Sequence, residues 1–267
     1  MKTRILVGAG LLLLFAAILF FGGWFQVLAF TAAAVISVHE MGKACGARGY
    51  HPCLWPLYIF TAFYYLAYAN LRAAWLGVLA LCCLLALCAE RIFNPLRTTE
   101  DTICSLFVFV YPVSLYVTLA MVASLSKSLL LLCFAAPLMG DTAAFFVGST
   151  LGKHKLCPHI SPKKTVEGSV GGFLGGALGG MLTWALQGLP GLYSSIQPGL
   201  WQLALAGLLC GGVGQIGDLF ASTVKRWADI KDYGNIFPGH GGVMDRLDSV
   251  LMCAPLVYVC MLLLWLL

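Results

Sequence analysis

The sequence predicts an all-α, polytopic integral membrane protein of about nine transmembrane helices with a cytoplasmic N-terminus, and three observations carry that reading. Of 267 residues, 60% are apolar and only 10% charged, against about 25% charged in a soluble domain. Mean hydropathy is +0.90. That is more apolar surface than one core of this length hides, whereas lipid accepts it directly. The apolar residues also fall into runs near the roughly 20 residues that cross a bilayer. A soluble globule, a disordered chain, a coiled coil and a collagen are excluded.

The runs follow one another at residues 5–21, 24–38, 52–69, 73–89, 103–122, 128–149, 169–187, 200–220 and 249–267. Lys2 and Arg4 ahead of the first resemble a signal peptide. Bulky Phe20-Phe21 and then Gly22-Gly23 stand where a small-residue cleavage site belongs, so a retained span is expected. The first few runs are short, which leaves tilting, fusion or an interfacial position open. The sixth run carries Asp141 well inside it, the seventh is rich in glycine, the eighth ends near Asp218, and the ninth opens after Asp245-Arg246-Leu247-Asp248. Two parts are expected: membrane helices over 1–125, and a part over 126–267 that carries the chemistry with polar loops at 150–168 and 221–248.

Nine crossings place the N-terminus and every even-numbered loop on one side. That side holds Lys2, Arg4, Lys43, Arg48, Arg91, Arg97, Lys153, Lys155, Lys163, Lys164, Lys225, Arg226, Lys231 and Arg246, and the other only Arg72 and Lys127. Positive charge marks the cytoplasmic face, so both large polar loops are expected there.

Gly168, Gly172, Gly176 and Gly180 recur every four residues beside Gly171, Gly175 and Gly179. Such ridges admit a neighbouring helix at close range, within or between subunits. Gly212-Val213-Gly214-Gln215-Ile216-Gly217 matches the dinucleotide fingerprint formally, but no strand precedes it, so the match is discounted. The eleven cysteines show no C-x-x-C spacing and lie mostly inside apolar runs, where a thiol is a small hydrophobe. The net charge of +5 is not gathered into an arm, which argues against nucleic acid.

Charges within a membrane segment are costly and point to function. Asp141, Asp218, Asp245 and Asp248 qualify. Three carboxylates converging at one depth repel unless a cation joins them, and hard oxygen ligands suit Mg²⁺ completed by phosphate and water. Spacing alone leaves open a simpler role, in which Asp245 and Asp248 favour the positive N-terminus of the last helix or pair with Arg246. Between the eighth and ninth runs stand Ser222, Lys225, Arg226, Lys231, Asp232, and Gly239-His240-Gly241-Gly242. Cations there suit phosphate oxygens, and the glycines allow backbone amides to turn toward an anion. Ser161-Pro162-Lys163-Lys164-Thr165 forms a second basic segment, open equally to substrate phosphate and to anionic headgroups. His240 is expected to position its loop.

These residues resemble the phosphatidate cytidylyltransferases, also called CDP-diacylglycerol synthases. Residues 222–248, reading STVKRWADIKDYGNIFPGHGGVMDRLD, fit that family's long motif, and Asp141, SPKKTVEG at 161–168 and GQIGDLFAS at 214–222 are similar to it too. The resemblance implies that CTP and phosphatidate give CDP-diacylglycerol and pyrophosphate with Mg²⁺, with or without a second cation, at the bacterial inner membrane. It implies Asp218, Asp245 and Asp248 as metal ligands, and Lys225, Arg226 and Lys231 on phosphates with Ser222 and Asp232 in support. Asp141, Ser161, Lys163, Lys164, Thr165, His240, Gly241, Gly242 and Arg246 complete the substrate-binding expectation. The expected partners are the two substrates and the bilayer, with a homodimer open. A CTP-using lipid kinase and an ion-coupled transporter remain as alternatives.

Overall fold

The computed structural model describes residues 2–70, 74–189, 191–192 and 196–266, so Arg72 lies outside the described residues. The chain runs through α1 (Lys2–Phe21), α2 (Gly23–Gly46), α3 (Trp55–Asn70), α4 (Ala74–Phe93), α5 (Thr99–Val108), a π-helical kink at Phe109–Val113 and α6 (Ser114–Leu125). It continues through α7 (Lys127–Leu151), β1 (Lys155–Cys157), β2 (Ser161–Thr165), α8 (Val166–Leu186), α9 (Leu200–Trp227) and α10 (Met244–Leu266). Among the described residues seven helical stretches are long and apolar enough to cross a membrane; 6–21 within α1 is shorter, and α3 has 16 residues. The architecture is the expected multi-pass helical one. Large apolar side chains remain uncovered along the helices, Phe145 and Phe146 on α7 and Ile216 on α9 among them, as lipid-facing surfaces require.

Two compact units divide the chain. The first comprises residues 1–120 and 225–245, the second 121–224 and 246–267. The polar segment 225–245 thus groups with the N-terminal helices.

In the first unit, Thr98 and Asp101 form a capping box at the start of α5. The same Asp101 accepts His51 N at 2.6 Å while Ser105 Oγ accepts Cys53 N at 2.7 Å, which pins the loop after α2 to α5. Ser37 and Tyr116 share a buried hydroxyl hydrogen bond of 2.9 Å. From the loop after α2, Arg48 Nε donates to Trp227 O, and Tyr50 stacks on the Trp227 ring with centroids 6.0 Å apart.

In the second unit the glycine ridges of α8 divide their work. Gly171, Gly175 and Gly179 face α7: a Cβ on Gly175 would lie 2.5 Å from Met139 O, and one on Gly179 2.7 Å from Ala135 O. Gly176 and Gly180 face α9, where a Cβ would overlap the carbonyl oxygens of Gly207 and Leu203. The ridges thus serve contacts within the chain. Gln215 ties the bundle further, its Nε2 donating to Ser169 O at 3.2 Å and to Gly211 O at 2.9 Å.

One feature departs from an all-helical reading. β1 and β2 pair antiparallel, with Lys155 opposite Thr165 and Cys157 opposite Ser161, inside the predicted 150–168 loop. Glu167, in the first turn of α8, secures this hairpin by accepting Lys153 N at 3.0 Å, His154 N at 3.2 Å and meeting His154 Nδ1 at 2.7 Å.

Candidate active site

The polar segment of the first unit begins where α9 ends. Asp229 takes a left-handed conformation, φ 57°, and Ile230 N returns to Lys225 O at 3.0 Å, so the helix stops and the chain reverses. A tight turn follows, with Phe237 N on Gly241 O at 3.0 Å and His240 N on Phe237 O at 2.8 Å. Gly239 and Gly241, at φ 77° and 81°, supply the left-handed residues that this turn requires.

At the centre of this segment is Asp245, its side chain only 1% exposed. Oδ1 accepts Lys225 Nζ at 2.8 Å, and Oδ2 accepts Tyr233 N at 2.8 Å and Gly242 N at 2.9 Å. Lys225 also lies over the Tyr233 ring, 5.5 Å from its centroid. The glycines were expected to turn amides toward a phosphate; the Gly242 amide instead meets this carboxylate. Arg226, Lys231 and Asp232 are exposed, and His240 is half-buried in the turn.

A second lysine–carboxylate pair sits in the second unit. Lys164, near the end of β2, places Nζ 2.5 Å from Asp218 Oδ2 on α9. Asp141 on α7 interacts electrostatically with Lys164, Asp218 and Arg246, so four of the expected residues share one neighbourhood. Asp248 is buried and accepts Ser249 N at 2.7 Å. The residue before Asp218, Gly217, packs against the main-chain carbonyl of Asp248, where a Cβ would stand 2.8 Å away. Lys163 is exposed and Ser161 and Ser222 are half-buried. Thr165 is buried, and its hydroxyl caps α8 by accepting Gly168 N at 3.1 Å.

Asp245 and Asp218 are thus each paired with a lysine of their own unit. Among the described residues no three His, Cys, Asp or Glu side chains are grouped to hold a metal ion.

The Cytidylyltransferase family matches residues 2–264. The chain belongs to that family. It is 45% identical over 118 residues to the phosphatidate cytidylyltransferase of Bacillus subtilis (strain 168), covering 44% of this chain and 41% of the relative. The phosphatidate cytidylyltransferase of Aquifex aeolicus (strain VF5) is 39% identical over 158 residues, 59% of this chain and 56% of the relative. That of Brucella suis biovar 1 (strain 1330) is 41% identical over 126 residues, 47% and 44% respectively. The chain spans about half the length of the curated relatives it matches.

One residue of the family member described here escaped the sequence reading. Glu40, on α2, is 3% exposed and reaches across roughly two hundred positions of sequence to the start of α10. Its Oε1 accepts Val243 N at 3.0 Å and its Oε2 accepts Met244 N at 2.8 Å. Gly234 and Gly242 crowd the same carboxylate so closely that a Cβ on either would overlap Oε1. Glu40 stands two residues beyond the apolar run 24–38, and an acid at the mouth of a run is the signal that could have found it.

Proposed function

We propose that this chain transfers a cytidylyl group from CTP to phosphatidate, releasing pyrophosphate and forming CDP-diacylglycerol at the inner face of a bacterial cell membrane. The observation that carries this reading is the buried Lys225–Asp245 pair at the membrane-helix terminus, set in the 222–248 motif of a chain that belongs to the cytidylyltransferase family. The names of the relatives support the choice of acceptor.

In this reaction a phosphate oxygen of phosphatidate attacks the α-phosphorus of CTP. A new oxygen–phosphorus bond forms, the bond from the α-phosphorus to the bridging oxygen of the β-phosphate breaks, and pyrophosphate departs with that electron pair. The attacking oxygen is already anionic, so no side-chain nucleophile is required. The protein's task is positioning and charge neutralisation. In the first unit Lys225 supplies an ammonium group that Asp245 directs, beside exposed Arg226 and Lys231; in the second, Lys164 supplies one that Asp218 directs, beside exposed Lys163.

The donor set fits magnesium in its usual enzymatic mode, with one or two carboxylates completed by substrate phosphates and water, rather than a closed protein cage. Asp218 and Asp248 of the second unit are the residues that would hold it. Bound there, the ion would neutralise charge developing on the phosphates.

Purified protein given phosphatidate vesicles and CTP labelled at the α-phosphate is expected to place label in lipid. Label entering lipid only from the γ-phosphate would establish a kinase and overturn the proposal, and CTP-independent ion flux in liposomes without transfer would favour a transporter.

A further inference from the structure

We infer that Glu40 is a positioning residue, which sets the Lys225–Asp245 pair by holding the first turn of α10 from α2. The inference rests on the functional reading above for its kinetic consequence, and on geometry alone for its structural one.

An α-helix begins with amide N–H groups that have no partner inside the helix, and an unmet buried donor is costly. At α10 the first of these donors, Met244 N, and three amides of the segment that leads into the helix meet two carboxylates. Asp245 takes Gly242 N and Tyr233 N, while Glu40 takes Val243 N and Met244 N. Four amides within twelve residues of chain are thus fixed by two acids, one of which is Asp245 of the candidate site. Glu40 does not contact Lys225 in this arrangement; it acts on the backbone that carries Asp245.

Two features distinguish this from an ordinary cap. A helix is capped locally by Ser, Thr, Asp or Asn at its own N-terminus, whereas here the acceptor comes from another helix, so it fixes the loop in space as well as ending it. The loop is also shaped around the carboxylate. Gly234 and Gly242 leave no room for a side chain because Glu40 oxygens occupy it. Buried and bidentate, Glu40 leaves the 234–244 segment one place to lie, and with it the direction in which Asp245 meets Lys225.

The test compares full-length wild type with Glu40→Gln in detergent micelles, by two readouts. Glu40→Gln preserves shape but turns an amide NH2 toward a backbone donor. Hydrogen–deuterium exchange is expected to rise about tenfold at residues 242–245 with α7 and α8 unchanged, as one lost charged acceptor allows. Turnover with α-labelled CTP and phosphatidate vesicles is expected to fall about 10–100-fold in kcat, the range for losing a residue that orients a reacting group, with KM for CTP within threefold. Glu40→Asp keeps the charge but draws the oxygens back by one methylene, and is expected to resemble Glu40→Gln in kcat while melting nearer the wild-type temperature. Unchanged exchange at 242–245, or increased exchange with wild-type kcat, overturns the inference. If the wild type itself transfers no label, the reaction proposed above fails, and exchange alone then decides whether Glu40 holds the turn.

Discussion

The carboxylate of Asp245 meets one ammonium and two amides with its side chain 1% exposed, so its loss has a structural and a chemical effect. Removing one partner of a buried ion pair costs about 3–5 kcal/mol. Asp245→Ala is therefore expected to lower the melting temperature in detergent sharply, while Asp245→Asn, which keeps one acceptor oxygen, melts closer to wild type; both are expected to lose cytidylyl transfer. Wild-type turnover in Asp245→Asn would remove the residue from the chemistry. Lys164→Met is a milder case. The pair with Asp218 is about a quarter to a third exposed, and such pairs contribute about 0–1 kcal/mol. Stability is expected to change little, and the KM for CTP or phosphatidate to rise, in a steady-state assay. The residues of these pairs were legible in the sequence because they lie in one short motif or within apolar runs. Glu40 could have been singled out as an acid at the mouth of an apolar run, but what it holds could not, because its partners stand two hundred positions away and helical periodicity carries no information about what a side chain meets across the fold. For the same reason Gly242 and Thr165 read as substrate contacts, although one amide serves Asp245 and one hydroxyl caps a helix.

The interleaved glycines of α8 show how an element's composition decides its neighbours. Spacing alone disclosed two smooth ridges; the fold sets Gly171, Gly175 and Gly179, with Gly168, against α7, and Gly172, Gly176 and Gly180 against α9. Gly180→Ala would drive a methyl group into the Leu203 carbonyl and force α8 from α9. Overpacking of this kind costs about 1–3 kcal/mol. A lowered melting temperature is expected, against no loss for Gly77→Ala, where a Cβ meets nothing within 4 Å. Equal melting of the two variants would mean that the ridges are not close contacts. The hairpin β1–β2 was beyond sequence reading because Ser161-Pro162-Lys163-Lys164-Thr165 has no apolar alternation. It is held instead by Glu167, whose carboxylate gathers the amides of Lys153 and His154.

At the scale of the whole molecule, the cations are distributed so that fourteen of sixteen fall on one expected side. The positive-inside bias makes cytoplasmic placement of that side the expectation to test. A cysteine introduced as Lys163→Cys, in a background without the exposed native thiols Cys82 and Cys88, is expected to react with an impermeant maleimide in inside-out vesicles but not in intact spheroplasts. The reverse pattern would invert the topology. The membrane character and most helices were legible from hydropathy, since burial in lipid needs only length and apolarity. The grouping of residues 225–245 with 1–120 was not, because it rests on contacts such as Glu40 with Val243 and Arg48 with Trp227 between stretches far apart in sequence. Heredity is constrained by that arrangement. A recombination that imported residues 1–120 from a relative would separate Glu40, Arg48 and Tyr50 from the segment they were selected with, and the two stretches are expected to be exchangeable between relatives only as a set.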